Sequence, residues 1–245
     1  MKLLHRPYLT LILPAYNESY RLVPGLTAAI GYLQKQPYRW EIIIVDDGSV
    51  VPVTKLLQDQ RAYRRLRTYP VTVFRLPVNR GKGAAIARGV AAAQGKYIVF
   101  SDVDFSVSIT MLPLLLSELS RSPVVIGSRR APGSVIGMHQ PILRETAGRI
   151  FTYCSNLLLG LRVFDSTCGF KGFERHAAKR LFRGLVIGGW VFDAEILWRA
   201  RHWHMQIVQI PVHWSDKKGT RVHGKDVIHA WADLLKLWAY TSAQA

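Results

Sequence analysis

The chain has 245 residues, 49% of them hydrophobic, and is therefore long enough to bury the core of one sizeable domain. Its 33 Lys and Arg against 16 Asp and Glu give a net charge of +17, which favours polyanionic partners: nucleic acid, an anionic bilayer or phosphorylated substrates. Two cysteines, Cys154 and Cys168, make no disulfide framework, and no run reaches the ~18 apolar residues of a membrane span. We therefore expect a cytoplasmic protein that is soluble or peripheral to a membrane.

The first half of the chain alternates strand and helix signals. Short apolar or β-branched runs predict strands at residues 9–14, 41–45, 71–76, 96–101 and 124–127. Apolar residues at helical spacing predict helices at residues 20–34, 83–93 and 111–120. This alternation predicts an α/β fold, with a Rossmann-like, mainly parallel sheet flanked by helices in a single domain.

The second half is predicted to contain helices at residues 143–161, 192–201 and 227–240. In the first of these an apolar stripe follows the 3.6-residue period, and it consists of Leu143, Ala147, Ile150, Phe151, Cys154, Leu158 and Leu161. Such a stripe either packs in the core or dips into the headgroup region of a bilayer. The stripe of the last helix, which carries Trp231 and Trp238, is interpreted as core.

Polar residues follow each of the first four predicted strands. Parallel sheets bind ligands at the carboxyl ends of their strands, so these clusters are expected to form one site. They are Asn17-Glu18, Asp46-Asp47-Gly48-Ser49, Asn79-Arg80-Gly81-Lys82 and Asp102-Val103-Asp104.

The residue types in these clusters indicate their chemistry. Asp102 and Asp104 offer the oxygen ligands that Mg²⁺ or Mn²⁺ prefers, although a pair of loop aspartates can also cap a helix. Asp46 can accept hydrogen bonds from a base or ribose, whereas Asp47-Gly48 is also an ordinary turn signal. Lys82 and the start of the following helix attract anions. Neither a P-loop nor a Gly-x-Gly-x-x-Gly motif is present, which argues against a dinucleotide-binding oxidoreductase.

With these motifs assembled, the sequence resembles the family-2 inverting glycosyltransferases of the GT-A fold. The segments that carry this resemblance are Leu13-Pro14-Ala15-Tyr16-Asn17-Glu18, Val45-Asp46-Asp47-Gly48-Ser49, Asn79-Arg80-Gly81-Lys82-Gly83 and Asp102-Val103-Asp104. Later segments resemble the dolichyl-phosphate β-glucosyltransferases and the related mannose synthases. These segments are Gly127-Ser128-Arg129, Asp165 to Lys171, Trp190 to Glu195 and Pro211-Val212-His213-Trp214.

The resemblance implies roles for individual residues. Residues along the nucleotide-sugar would be Pro14, Ala15, Asn17, Glu18, Asp46, Lys82, Asp102 and Asp104. Asp104 would be a direct metal ligand with Asp102 beside it, and Asp193, Arg129 and Asp104 would be the catalytic residues. The acceptor and its phosphate would lie near Arg129, Arg144, Arg149, Lys171 and Glu195. Mannose synthases have a glutamine ligand where this chain has Ser106, which leaves the third metal ligand open.

The resemblance also implies a reaction and its setting. A hexose would pass with inversion from a nucleotide-sugar, UDP-glucose before GDP-mannose, to dolichyl or polyprenyl phosphate. Residues 8–130 would bind the nucleotide-sugar, and residues 131–245 would bind the acceptor and face an anionic membrane at its cytoplasmic side. Mannosyl transfer and a non-lipid acceptor remain alternatives. Because no nucleic-acid-binding signature is present, nucleic acid is not an expected partner.

Overall fold

The computed structural model describes residues 6–58, 68–217 and 224–244, with the side chains of 224–226 excepted. Its strands are β1 (Leu9–Ala15), β2 (Trp40–Asp46), β3 (Val71–Arg75), β4 (Tyr97–Ser101), β5 (Val124–Ser128), β6 (Val135–Ile136), β7 (Phe170–Glu174), β8 (Ile207–Pro211) and β9 (His213–Trp214). Its helices are α1 (Leu22–Leu33), α2 (Val53–Gln58), α3 (Lys82–Ala92), α4 (Leu112–Leu119), α5 (Ile142–Leu159), α6 (Arg175–Leu181), α7 (Phe192–His202) and α8 (Gly224–Ser242).

Seven strands form one sheet in the order β3-β2-β1-β4-β7-β5-β8. All neighbouring pairs are parallel except those of β7, which runs antiparallel to both β4 and β5. The short strands β6 and β9 pair separately. This arrangement confirms the α/β fold with a mainly parallel sheet that the sequence predicts.

Two apolar layers cover the sheet. Helices α1 and α4 pack on one face, around Leu26, Leu115 and Leu11. Helices α3 and α5 to α8 cover the other face, around Ile86, Phe192 and Leu234. The connection β1-α1-β2 therefore lies on one side, and the connection β3-α3-β4 returns on the other. A crevice results at the carboxyl ends of β1 and β4, where the strand order reverses.

The five predicted strands and six predicted helices are present, with bounds shifted by a few residues. Strands β6 to β9 and helices α2 and α6 were not predicted. Helix α5 ends at Leu159 because Gly160 adopts a left-handed conformation with φ 63°, a common way to end a helix. Leu161, which the periodic pattern included, is buried beyond this end.

The apolar stripe of α5 is divided between the core and the surface. Phe151 and Cys154 pack against the core, whereas Leu143 is 86% exposed and Ile150 is half exposed. Helix α8 is divided in the same way, since Leu234 is buried and Trp238 is partly exposed. No helix within the described part of the chain is both long and apolar enough to cross a bilayer.

Candidate active site

A cavity of about 520 Å³ opens at the crevice between β1 and β4. The loops that follow the first four predicted strands all contribute to its wall. Predicted donor-site residues in the wall are Pro14, Ala15, Asn17, Glu18, Lys82, Asp102 and Asp104. The structure thus brings together all but one of the residues that the sequence assigned to the nucleotide-sugar.

Asp102 and Asp104 lie in the turn that follows β4. Lys82, at the start of α3, pairs with Asp102 at 2.5 Å between Nζ and Oδ1. Burial lowers the pKa of Lys82, but attraction to Asp102 and Asp193 outweighs it and leaves the pKa raised. Asp104 Oδ1 accepts hydrogen bonds from the backbone N–H and the hydroxyl of Ser106, at 3.0 and 2.9 Å. Ser106 therefore holds Asp104 in place.

Two glycines allow other elements to approach this turn closely. A Cβ atom on Gly25 of α1 would lie 1.9 Å from the carbonyl oxygen of Val103. A Cβ atom on Gly169, in the loop before β7, would lie 2.0 Å from Asp102 Oδ2. Real Cβ atoms do not tolerate such contacts, so the backbone of both segments packs against the Asp102-Val103-Asp104 turn only because glycine stands there.

The turn suits Mg²⁺ or Mn²⁺ supplied together with a phosphorylated ligand. No group of three or more His, Cys, Asp or Glu that could hold a metal occurs within residues 6–58, 68–217 and 224–244. Mg²⁺ is commonly held by one or two carboxylates, and substrate phosphates complete its shell. Asp102 and Asp104, in the wall of a cavity of nucleotide size, fit that donor set.

Arg21 is a site residue that the sequence motifs did not reveal. It lines the cavity, and its Nη1 lies 3.0 Å from Asp104 Oδ2. Its Nε and Nη2 donate to the two carboxylate oxygens of Glu18 at 2.7 and 2.5 Å. Glu18 therefore orients a cation toward the Asp104 carboxylate. The i, i+3 spacing of Glu18 and Arg21 could have pointed to this pair.

The adjacent acids Asp46 and Asp47 have different positions. Asp46 is outside the cavity wall and is buried, with Oδ1 accepting from Ser49 N–H and Oδ2 from Val53 N–H and Arg75. Asp47 lines the cavity and accepts the backbone N–H groups of Arg80 and Gly81, each at 2.8 Å. Asp46 therefore orders the loop after β2, and its contact with the ribose or base stays a prediction.

A second cavity of about 470 Å³ adjoins the first one. Its wall combines apolar side chains with arginines and is formed largely by α5 and the start of α8. Apolar members include Ile136, Ile150, Phe151, Val227 and Trp231, and the cations are Lys82, Arg129, Arg130, Arg144 and Arg149. The two cavities are adjacent and share seven lining residues: Lys82, Arg129, Gln140, Arg144, Thr167, Trp190 and Trp214.

Arg129 stands where the cavities meet. Its Nε and Nη2 donate to the two oxygens of Asp165, at 2.6 and 2.9 Å, and Nη2 also donates to Thr167. Burial opposes both charges, but their attraction outweighs it: the pKa of Arg129 is raised and that of Asp165 is lowered. The pair fixes the guanidinium, and among the described residues no hydrogen bond uses Nη1. Asp165 and Thr167 entered the sequence interpretation only as members of a motif.

Arg144 and Arg149 project from α5 into the second cavity, as their predicted role at the acceptor requires. Arg144 lies 3.8 Å from Asp216, and Arg149 pairs with Glu145 at 2.7 Å. Arg130, which was not predicted, also lines this cavity and donates to the Thr152 hydroxyl.

Three predicted site residues of the later motifs, Lys171, Asp193 and Glu195, are buried, and only Asp193 reaches a cavity. Asp193, in the first turn of α7, lines the second cavity. Lys171 and Glu195 are fully buried and outside both walls. Glu195 accepts the N–H groups of Val186 and Ile187 and pairs with Arg199. The structure therefore brings neither Lys171 nor Glu195, both predicted to lie near the acceptor, into a cavity wall.

Comparisons with known proteins agree with this geometry. Residues 10–182 match the profile of glycosyl transferase family 2. The dolichyl-phosphate beta-glucosyltransferase of Saccharomyces cerevisiae is 32% identical, over 88% of this chain and 69% of its own length. The human protein of the same name is 31% identical, over 87% of this chain and 69% of its own length.

Solved structures share the fold at low identity. One is glucosyl-3-phosphoglycerate synthase of Mycobacterium tuberculosis, bound to Mn²⁺, uridine diphosphate and glucosyl-3-phosphoglycerate. It has a TM-score of 0.66 and 19% identity, over 96% of this chain and 81% of that one. Another is a Pyrobaculum calidifontis mannosyltransferase with GDP-Man and Mn²⁺, at a TM-score of 0.63 and 17% identity, over 99% of this chain and 66% of that one. These neighbours are glycosyltransferases of the GT-A fold, as the motifs predicted.

Proposed function

Because the chain belongs to glycosyl transferase family 2 and is a glycosyltransferase, we propose that it transfers glucose from UDP-glucose to the phosphate of a dolichyl-type polyprenol. The product would be a β-linked lipid-phosphate sugar. The names of the relatives support glucose as the sugar and dolichyl phosphate as the acceptor.

One observation carries this proposal: a polar cavity and an apolar cavity meet at a cluster of cations. The polar cavity has the acidic turn at Asp102 and Asp104. The apolar cavity suits an isoprenoid chain, and its arginines suit the phosphate at the end of that chain. Arg129 and Lys82 belong to both walls, where the phosphate and the sugar have to meet. A water-soluble acceptor would not need the apolar wall.

The reaction needs orientation more than it needs a base. A phosphate monoester is already ionised near neutral pH, so its oxygen can attack the anomeric carbon without losing a proton. The new bond joins that oxygen to the anomeric carbon, and the bond to the nucleoside diphosphate breaks on the opposite face, which inverts the centre. Arg129, Arg144 and Lys82 would hold the acceptor phosphate and the departing diphosphate near each other. Asp193 would position the sugar or the acceptor.

A divalent cation, Mg²⁺ or Mn²⁺, is part of the proposal. Asp104 would hold it directly, with Asp102 beside it, and Ser106 and Arg21 would keep Asp104 in position. When bound, the cation supplies positive charge that stabilises the diphosphate as it leaves.

Membrane attachment through α5 and α8 would present the second cavity to the lipid. On α5 the exposed apolar residues are Ile142, Leu143, Ile150, Tyr153 and Leu157, and on α8 they include Ile228 and Leu235. Exposed Arg149 and Arg162 add the positive charge that attracts anionic lipids. We place this surface at the cytoplasmic side of a membrane, where nucleotide-sugars are available.

The direct test is incubation of the protein with Mg²⁺ or Mn²⁺, polyprenyl phosphate and a panel of labelled nucleotide-sugars. The proposal expects label from UDP-glucose in the organic phase, released by mild acid as glucose. If the lipid-linked label comes from GDP-mannose instead, the transferred sugar is mannose and not glucose. A product found only in water, with no lipid-linked label from any donor, would refute a lipid acceptor.

Attachment has its own test, sedimentation with vesicles. We expect binding to vesicles that contain anionic lipid, and weaker binding by an Ile142→Ser, Leu143→Ser double variant. Leu114→Ser is the matched control, since Leu114 is exposed on α4 at the opposite face of the sheet. Equal losses of vesicle binding for both variants, or binding that does not depend on anionic lipid, would contradict the assignment of this surface.

A further inference from the structure

Lys171 is a fully buried lysine in the middle of the sheet. It lies on β7, opposite Phe100 of β4 and Ile126 of β5. Its ammonium donates to the carbonyl oxygens of Ser166 and Cys168, at 3.1 and 2.6 Å, and to Asp193 Oδ1 at 2.7 Å. These three partners use all three N–H donors, so Lys171 has none left for a substrate phosphate.

The partner carboxylate faces the proposed acceptor. Asp193 stands in the wall of the second cavity. Among the described residues, the only hydrogen bond to the Asp193 carboxylate comes from Lys171 and uses Oδ1. Oδ2 is therefore available to a ligand in that cavity.

The same ammonium also fixes the loop that precedes β7. Between its two carbonyl partners lies Thr167, which lines both cavities and accepts a hydrogen bond from Arg129. The next residue after Cys168 is Gly169, whose backbone packs against Asp102. One buried cation thus connects the Asp193 carboxylate with the loop that contacts Arg129 and Asp102.

We propose that Lys171 is the positioning residue for Asp193: by holding Oδ1 and the Ser166–Cys168 backbone, it aims Oδ2 into the second cavity at the acceptor. The inference rests on the proposed function for the identity of the acceptor. It does not depend on which nucleotide-sugar is the donor. A buried pair with a purely structural role would hold the fold equally well whether or not Asp193 faced a ligand.

Electrostatics give this role a measurable consequence. Burial raises the pKa of Asp193, attraction to Lys171 and then to Lys82 lowers it, and repulsion from Asp102 raises it. These groups face Asp193 from β7, α3 and the turn after β4. Because attraction to Lys171 is the largest influence that lowers the pKa of Asp193, removal of Lys171 should raise that pKa further.

The test is a double-mutant cycle with Lys171→Met, Asp193→Asn and the double variant. Lys171→Met and Asp193→Asn are each expected to lower kcat by about 10²-fold, the usual cost of a misplaced reacting group. In the Asp193→Asn background, Lys171→Met should cost little further activity, since the group that it positions is gone. For Lys171→Met alone, the acidic limb of the kcat/KM profile should move to higher pH. Lys171→Arg, which keeps the charge, should leave that limb near its wild-type position.

The thermal stability of each variant is measured separately from its activity. Lys171→Met leaves a buried carboxylate without its partner, so a lower Tm is expected, and the double variant should recover part of it. If Lys171→Met does not fold, Asp193→Asn is compared directly with the double variant. Similar activity of these two supports the proposal, and a further loss of tenfold or more in the double variant overturns it. The proposal is also overturned if the two single-variant losses of kcat multiply in the double variant and the acidic limb of the kcat/KM profile of Lys171→Met stays at its wild-type pH.

A measurement without catalysis separates this proposal from the proposed function. Carbon-13 labelling of aspartate side chains allows the Asp193 carboxyl to be titrated by NMR, with its signal assigned from Asp193→Asn. An upward shift in Lys171→Met supports the pairing even if no sugar reaches a lipid. An unchanged titration overturns the inference while leaving transfer by the wild-type protein intact.

Discussion

Replacing Gly169 by alanine tests the central feature of the site, the close contact between the loop before β7 and Asp102. The new Cβ atom would lie 2.0 Å from Asp102 Oδ2 and 2.7 Å from its Cγ. Both of these atoms belong to the short Asp102 side chain, which is partly exposed. The carboxylate therefore has to move, because the loop itself is held by Lys171 through the Cys168 carbonyl.

The size of that movement follows from the contact. Ordinary contact begins near 3.4 Å, so the Asp102 oxygen retreats by about 1.4 Å. The 2.5 Å pair with Lys82 cannot survive such a shift unchanged. Asp102 would then also be displaced from its place beside a divalent cation held by Asp104. We expect transfer to fall by about 10²-fold, the usual cost of an error of about 1 Å.

The assay measures transfer and, separately, Mn²⁺ binding in the presence of UDP by electron paramagnetic resonance. Mn²⁺ affinity should fall about ten- to a hundredfold, as for other changes that misorient a ligand. Gly31→Ala is the matched control, since a Cβ atom there meets nothing within 4 Å in the exposed part of α1. Near-normal transfer and Mn²⁺ affinity in Gly169→Ala would refute the role assigned to Asp102.

Further predictions concern single residues of the site. Asp104→Ala should abolish metal-dependent transfer and leave the far-ultraviolet circular dichroism unchanged; substantial metal-dependent turnover would contradict its role as a ligand. Arg129→Lys keeps the charge but loses the two-pronged bond to Asp165, so transfer should fall by about tenfold or more; an unchanged rate would show that charge alone suffices. Burial raises the pKa of Cys168 to about 11, so at pH 8 only about one thiol in a thousand is ionised. A thiol reagent should modify the partly exposed Cys154 first and Cys168 only on unfolding, as mass spectrometry of peptides will show; early labelling of Cys168 would contradict its burial.

The sequence predicts the site better at strand ends than within later motifs. Apolar runs followed by polar clusters identify β1, β2 and β4, and the sheet necessarily brings their carboxyl ends together. Which acid of Asp46-Asp47 faces the cavity depends on how the chain turns after β2. Spacing along the chain does not encode that turn: the sequence favoured Asp46 for the nucleotide, whereas Asp47 is the acid that lines the cavity.

Strand β7 shows a different difficulty. Phe170-Lys171-Gly172-Phe173-Glu174 contains two charged residues, and a buried central strand is expected to be apolar throughout. The lysine is tolerated because carbonyl groups and Asp193 surround its ammonium, and these partners come from elsewhere in the fold. Motif membership suggested that Lys171 and Glu195 lie near the acceptor, whereas the structure buries both outside the two cavity walls.

The single reversed strand has a consequence for how the molecule folds. Strand β7 fills the gap between β4 and β5, which precede it by more than forty residues along the chain. Until it inserts, both neighbours present an open edge, and open edges invite pairing with other chains. The loop before β7 also delivers Gly169 and Thr167 to the crevice. Insertion of β7 therefore joins β5 to the rest of the largest sheet and brings this loop to the reactive centre in one long-range step. Conditions that slow this insertion are expected to increase aggregation and delay the appearance of activity together.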